Sequence, residues 1–151
     1  MQKISGIVIC ALSILFLFAF TSFALELDNN GDGNIDRWVE KEGGVTRKIK
    51  SDRNFDNKID YLSKFNEDGK MEYEEIDYNY DGDMDDFYYY SKGSLIRREI
   101  DSNYDGKIDI WVYLRDGIYI KQYKRDTNFD GQIDIDKEFG KEEQPKAGNS
   151  E

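Results

Sequence analysis

The sequence has no histidine and a single cysteine, Cys10, among its 151 residues. Without those residue types in the body of the chain, a Ser-His or Cys-His nucleophile system cannot be assembled. Zinc and copper sites resting on imidazole or thiolate are disfavoured for the same reason. One cysteine also cannot form an internal disulfide, the common staple of a small exported domain. Positive charge is scarce: 21 Lys and Arg stand against 32 Asp and Glu, a formal net charge of −11. Nucleic acid is therefore a poor partner, since phosphate binding needs clustered cations. No phosphate-cradling glycine loop occurs. A long apolar run occurs only near the N-terminus, over residues 7–20.

That run follows Lys3 and precedes Ser22-Phe23-Ala24, which offers small residues at the two places a signal peptidase reads. Residues 1–24 thus read as a secretory signal peptide, with cleavage after Ala24. The alternative is an uncleaved anchor, because residues 4–25 are just long enough to span a bilayer. Cys10 lies before most of the apolar run and lacks the lead-in of a lipoprotein. The expected destination is outside the cytoplasm: periplasm, cell surface or medium. With the leader removed, 20 basic residues face 32 acidic ones and the charge is −12. At the other end, the segment after Gly140 has Ala147 as its one apolar residue, so 140–151 reads as a disordered tail.

What remains, residues 25–139, is governed by one nine-residue phrase. It appears as DNNGDGNID from Asp28, DRNFDNKID from Asp52, DYNYDGDMD from Asp77, DSNYDGKID from Asp101 and DTNFDGQID from Asp126. Copies recur every 24 or 25 residues, which defines a repeat architecture. Alternating Asp and Asn with a glycine at the sixth place suits a hard divalent cation, which wants several oxygen ligands on a sharply turned backbone. Places one, five and nine are Asp in every copy, fifteen of the 32 acidic residues. Five Ca²⁺ ions would bring −12 to −2. The competing reading is a set of Asp-Gly turns whose side chains bond their own backbone.

The phrase resembles the first nine places of the EF-hand calcium loop. The resemblance implies side-chain ligands at places one, three, five and nine and a backbone carbonyl at place seven. In this chain the side-chain set is Asp28, Asn30, Asp32 and Asp36; Asp52, Asn54, Asp56 and Asp60; Asp77, Asn79, Asp81 and Asp85; Asp101, Asn103, Asp105 and Asp109; and Asp126, Asn128, Asp130 and Asp134. The implied carbonyls are those of Asn34, Lys58, Asp83, Lys107 and Gln132. A true EF-hand also needs a bidentate Glu at place twelve. Val39, Ser63, Tyr88, Val112 and Lys137 stand there instead. The chain is more similar to EF-hand-like loops set between β-strands, as in the FG-GAP repeats of integrin α chains. Thrombospondin type 3 repeats and dockerins reuse the same loop. The implied cofactor is calcium, up to five ions. Loop two is expected to be the weakest, because Asn57 replaces the sixth-place glycine.

Each spacer of 15 or 16 residues breaks at a turn signal: Gly43-Gly44, Asp68-Gly69, Lys92-Gly93 and Asp116-Gly117. The flanking stretches are rich in β-branched and aromatic residues and too short for stable helices. The expected fold is all-β, an antiparallel β-hairpin repeat array with the acidic loops along one edge. It is either an open curled sheet or a barrel-like closure. The expected core columns are Ile35, Ile59, Met84, Ile108 and Ile133 at place eight; Trp38, Leu62, Phe87 and Trp111 three residues on; and the fourth-place Phe55, Tyr80, Tyr104 and Phe129. That three-residue step predicts a bulge near the end of the motif.

The expected function is a non-enzymatic calcium-binding protein in a structural or surface-associated role. The alternative is a glycan- or protein-binding module that uses a sheet face lined by Tyr88, Tyr89, Tyr90, Tyr113, Tyr119 and Tyr123. Ordinary cross-strand aromatic pairing is the plainer account of those tyrosines.

Overall fold

The computed structural model describes residues 22–140. Most of the expected leader and nearly all of the expected tail therefore lie outside the described residues. Ten strands run in chain order: β1 (Ser22–Leu27), β2 (Arg37–Glu42), β3 (Val45–Ser51), β4 (Tyr61–Phe65), β5 (Met71–Ile76), β6 (Asp86–Ser91), β7 (Ser94–Ile100), β8 (Ile110–Arg115), β9 (Tyr119–Arg125) and β10 (Ile135–Glu138). Each pairs antiparallel with its chain neighbours, giving a single meander. Strand contacts occur between chain neighbours alone, so the sheet is open. Among the described residues its edge strands are β1 and β10. Of the two closures considered from sequence, the barrel is the one the chain does not adopt.

Two kinds of connection alternate. On one edge lie the tight turns, where Gly43-Gly44 (φ 58 and 82°) and Lys92-Gly93 (φ 53 and 82°) adopt the positive φ that two-residue hairpins require. On the other edge lie the five acidic loops, 28–36, 52–60, 77–85, 101–109 and 126–134, called loops 1 to 5. The meander explains this segregation: each repeat contributes two strands, so every loop returns to the same side.

A sheet one layer thick cannot bury much. Among the described apolar side chains only Val39 and Ile76 are buried. The Trp38, Leu62, Phe87 and Trp111 column does fall in one row across the sheet, but it does not stack. A charged residue from the intervening strand separates each pair, in the register Glu26, Trp38, Lys50, Leu62, Glu75, Phe87, Glu99, Trp111, Lys124 and Asp136. Successive apolar members are therefore two strands apart, about 9–10 Å.

The fourth-place aromatics leave the core altogether: Phe55, Tyr80, Tyr104 and Phe129 are exposed. They sit at φ 62 to 64°, the left-handed region, which turns their side chains away from the sheet. Bulges form at Glu40/Lys41, Lys64/Phe65, Tyr89/Tyr90 and Tyr113/Leu114, near the tight turns rather than at the motif's end. The three-residue step needs none there, because the eighth-place residue still belongs to the loop and strand pairing begins after place nine.

Polar and aromatic cross-strand contacts take over what a hydrophobic core would do. The Tyr73 and Tyr89 rings meet edge to face at 5.3 Å. Arg97 lies over Tyr89 at 3.9 Å and Lys64 over Tyr73 at 4.9 Å. Each tyrosine hydroxyl donates to a carboxylate: Tyr73 to Glu75, Tyr88 to Asp86, Tyr89 to Glu99 and Tyr90 to Glu74. Burial pushes all four phenols up, Tyr90 to about 12; the carboxylate comes second for Tyr73, Tyr89 and Tyr90, and a hydrogen bond with Tyr78 second for Tyr88. A phenol raised above its unfolded value of 10.0 stabilises the fold below that value and loses the contribution as pH climbs through the folded pKa. Stability is thus expected to decline between about pH 10 and 12, with tyrosinate absorbance rising together with unfolding. Tyrosinate appearing near pH 10 in the still-folded protein would refute the assignment.

One ion pair is built into the middle of the sheet. Asp86, 1% exposed, accepts a fork from Nε and Nη2 of Arg98 on the adjacent strand. The partners are unequally buried, so their removal costs unequal amounts. Arg98→Met leaves a buried carboxylate without its cation and is expected to cost about 2–3 kcal/mol, at the low end for buried pairs because the arginine is half-exposed. Asp86→Asn keeps an acceptor and should cost less. Urea unfolding of the two variants measures the difference, and equal losses would contradict it.

Candidate metal loops

The carboxylates are what this protein buries. Asp36, Asp52, Asp60, Asp77, Asp85, Asp101, Asp109 and Asp126 are all at most 4% exposed. These are the first- and ninth-place residues of every loop except Asp28 and Asp134, which are exposed. The exceptions explain the rule. Asp28 opens the first loop of the column and Asp134 closes the last, so among the described residues no further loop lies beyond them.

Within each loop the ninth-place N–H donates to the carbonyl of the residue just before place one, at 2.9–3.0 Å. Between loops the first-place N–H donates to the ninth-place carbonyl of the preceding copy: Asp52 to Asp36, Asp77 to Asp60, Asp101 to Asp85 and Asp126 to Asp109, at 2.8–2.9 Å. These bonds join the five loops into one hydrogen-bonded column. Lys58 adds a further tie, donating from Nζ to the Asp81 carbonyl at 2.8 Å. Motif reading did not foresee this linkage, although the constant 24- or 25-residue spacing is the signal that permits it.

The loop interior repeats with little variation. The first-place carboxylate accepts the fourth-place N–H on one oxygen at 2.6–2.8 Å and the sixth-place N–H on the other at 2.7–2.9 Å. The third-place Asn accepts from the fifth-place N–H, and the fifth-place Asp from the seventh. The ninth-place Oδ2 closes the turn by accepting the second-place N–H at 2.5–2.8 Å. The hydrogen-bonded turn expected as the competing reading is therefore present in all five copies. It places the four side chains around one backbone coil, so the two readings share a geometry. Asn57, at φ 70°, keeps the turn in loop 2 without glycine.

Hydrogen bonds lower the pKa of three fifth-place carboxyls. Asp32 is held below the usual range first by the Asn34 N–H, Asp81 first by the Asp83 N–H, and Asp56 first by the Asn54 amide. Asp134 is lowered first by the Thr127 hydroxyl. Asp85 moves the other way: burial pushes it up, and the charges of Asp77 and Asp81 add to the push.

Loop 2 stands apart. There Asp52, Asp56 and Asp60 bring carboxylate oxygens within 4.8 Å of one another, a group that could hold a metal ion. Among the described residues four buried side-chain atoms lack a hydrogen-bond partner: Arg37 Nε, Asp60 Oδ1, Ser63 Oγ and Arg125 Nε. Asp60 Oδ1 belongs to the acidic group. The side chain at the second motif place differs from loop to loop. In loop 1, Asn29 donates its side-chain amide to Asp36 Oδ1; in loops 4 and 5, Ser102 and Thr127 donate hydroxyls to the ninth-place Oδ2. In loop 2 the second place is Arg53, whose guanidinium lies over Tyr61 at 4.4 Å. The loop expected to be weakest is thus the one whose carboxylates converge and retain an unused oxygen.

No protein-family model matches the chain, and no curated protein matches it. Among solved structures it is similar to a chain in the crystal structure of accessory secretory protein 1, 2 and 3 of Streptococcus pneumoniae, with 13% identity and a TM-score of 0.46. The likeness covers 68% of this chain and 19% of that one, so the chain spans about a fifth of the protein it matches.

Proposed function

We propose that this is an exported calcium-binding repeat protein without catalytic activity, in which Ca²⁺ held by the loops sets hairpin against hairpin in a structural or surface-associated role. The observation that carries the reading is Asp60 Oδ1: a buried anionic oxygen with no donor, within a three-carboxylate group. Burying such an oxygen unpaired is costly, and repulsion among three carboxylates adds to the cost. A hard divalent cation relieves both. Without a twelfth-place Glu, affinity belongs at the weak extracellular end, with Kd on the order of 10⁻⁴–10⁻³ M. Export rests on the leader-like segment ending at Ala24. The tyrosine-lined binding face draws less support, because the hydroxyls of Tyr88, Tyr89 and Tyr90 are already committed to carboxylates.

The test is a calcium titration followed by backbone amide shifts, with magnesium as comparator. Loop 2 amides, those of Asn57 and Lys58 among them, should move saturably with calcium and less with magnesium, whose octahedral demand fits poorly. Asp60→Asn should abolish the loop 2 response. Calcium shifts that stay small and unsaturated in every loop would leave hydrogen-bonded turns as the whole account.

A further inference from the structure

Beside loops 1 and 2, on the face carrying Arg37, Ser51 and Tyr61, lies a cleft of about 340 Å³. We propose that it binds a small carboxylate carried on a flat ring, with Arg37 and Arg53 as its charge partners. This inference stands apart from the calcium reading.

The two arginines are anomalous in so acidic a chain. Neither makes an ion pair with any described residue, whereas Arg98 is forked onto Asp86 and Arg47 reaches Glu42 at 3.1 Å. Arg37 Nε is shielded from solvent and has no acceptor. Its strand neighbours explain why: Leu27 on one side and Ser51 on the other bring no carboxylate. The one acidic residue lining the cleft, Asp52, is already spent on its own loop. Its Oδ1 accepts the Phe55 N–H at 2.6 Å and its Oδ2 the Asn57 N–H at 2.7 Å. A buried guanidinium donor without a partner costs as much as any orphaned polar group, so the site calls for an acceptor.

The shape of the site defines that acceptor. The Arg53 guanidinium carbon lies 4.4 Å from the Tyr61 ring centroid, a contact with the π face that uses no acceptor, so its N–H groups can still donate. An arginine edge presents parallel N–H groups that match a planar carboxylate. Phe55 and Tyr61 supply aromatic walls, and Phe55 is 47% exposed at φ 64°. A bulky residue in the left-handed region is strained, and loop 1 avoids the strain with Gly31 at the equivalent place. The cleft's volume suits a small ring-bearing ligand. Such a ring can belong to an aromatic acid or a sugar acid; both present the same carboxylate.

Benzoate, glucuronate and inorganic phosphate serve as probes, titrated in chelator into the protein while the arginine Nε–H and backbone amide resonances are followed. Benzoate or glucuronate should shift Arg37 Nε–H, Arg53 Nε–H and the Phe55 amide to saturation, and the tighter of the two identifies the ring. Arg37→Lys, which keeps the charge and loses the fork, should weaken binding about tenfold or more. Arg53→Gln, a change on an exposed side chain, should weaken it with an unchanged melting temperature. No saturable shift from either carboxylate, phosphate binding at least as tightly, or full affinity in both variants would overturn the proposal.

Discussion

Replacing Asp77 with alanine is expected to destabilise the protein by about 2–4 kcal/mol, whereas the same change at Asp28 costs about 1 kcal/mol or less. The two residues make the same bonds. Asp77 accepts from Tyr80 and Gly82 at 2.6 and 2.8 Å; Asp28 accepts from Gly31 and Gly33 at 2.6 and 2.9 Å. They differ in surroundings, since Asp77 is 1% exposed and covered by its neighbouring loop while Asp28 is exposed. Truncation at Asp28 hands two N–H groups to water. At Asp77 it leaves them in a packed column, where an unsatisfied donor bears its full desolvation penalty. Asp77→Asn keeps one acceptor oxygen and should recover about half the loss. Urea unfolding in chelator, followed by the fluorescence of Trp38 and Trp111, separates the cases without any contribution from metal. Equal losses at the two positions would show that loop stacking contributes nothing.

That contrast also marks how far the sequence could be read. Repeat length, strand content, turn positions and the segregation of the acidic loops all follow from local chemistry: glycine where φ must be positive, β-branched and aromatic runs between the turns, and Asp/Asn where a coil must be closed. Such signals are carried by neighbouring residues, so they survive in a single sequence. Burial is not local. The fourth-place aromatics recur as faithfully as a core column would, yet they are exposed, because the carboxylate at place one draws the fourth-place N–H inward and forces the left-handed turn. Recurrence in a repeat protein reports a common environment, and here that environment is the outer surface of the loop.

The site shows the same division. Every oxygen-bearing place was legible as part of one coil. That loop 2 differs from the others was not, and the variable place two, Asn29, Arg53, Tyr78, Ser102 and Thr127 in turn, does not single it out. The side chain of Asn29 reaches the Oδ1 of its ninth-place carboxylate, whereas Ser102 and Thr127 add a second bond to Oδ2. What sets loop 2 apart is the burial of Asp60 Oδ1 without a donor, and nothing in the motif announces it.

Saturating calcium is expected to raise the melting temperature by about 10 °C or more over the value in chelator. A ligand at a hundred times its Kd stabilises by about 2.7 kcal/mol per site. For a domain of this size each kcal/mol shifts the melting temperature by roughly 3–6 °C. One occupied loop therefore accounts for the whole shift, and further loops add to it. General screening of the acidic chain also stabilises, so the comparison must be made at matched ionic strength, where sodium chloride supplies the screening without the coordination. The Asp60→Asn variant isolates loop 2. Its absolute melting temperature is not the readout, since the substitution also alters a buried group; the increment from chelator to calcium is. If loop 2 is the principal site, that increment falls to a small fraction of the wild-type value. If all five loops bind alike, it falls by about a fifth, because the inter-loop bonds leave the other four intact. No increment beyond that of matched sodium chloride in the unaltered protein would mean that the buried carboxylates are held by backbone N–H groups alone, and the calcium reading would be lost.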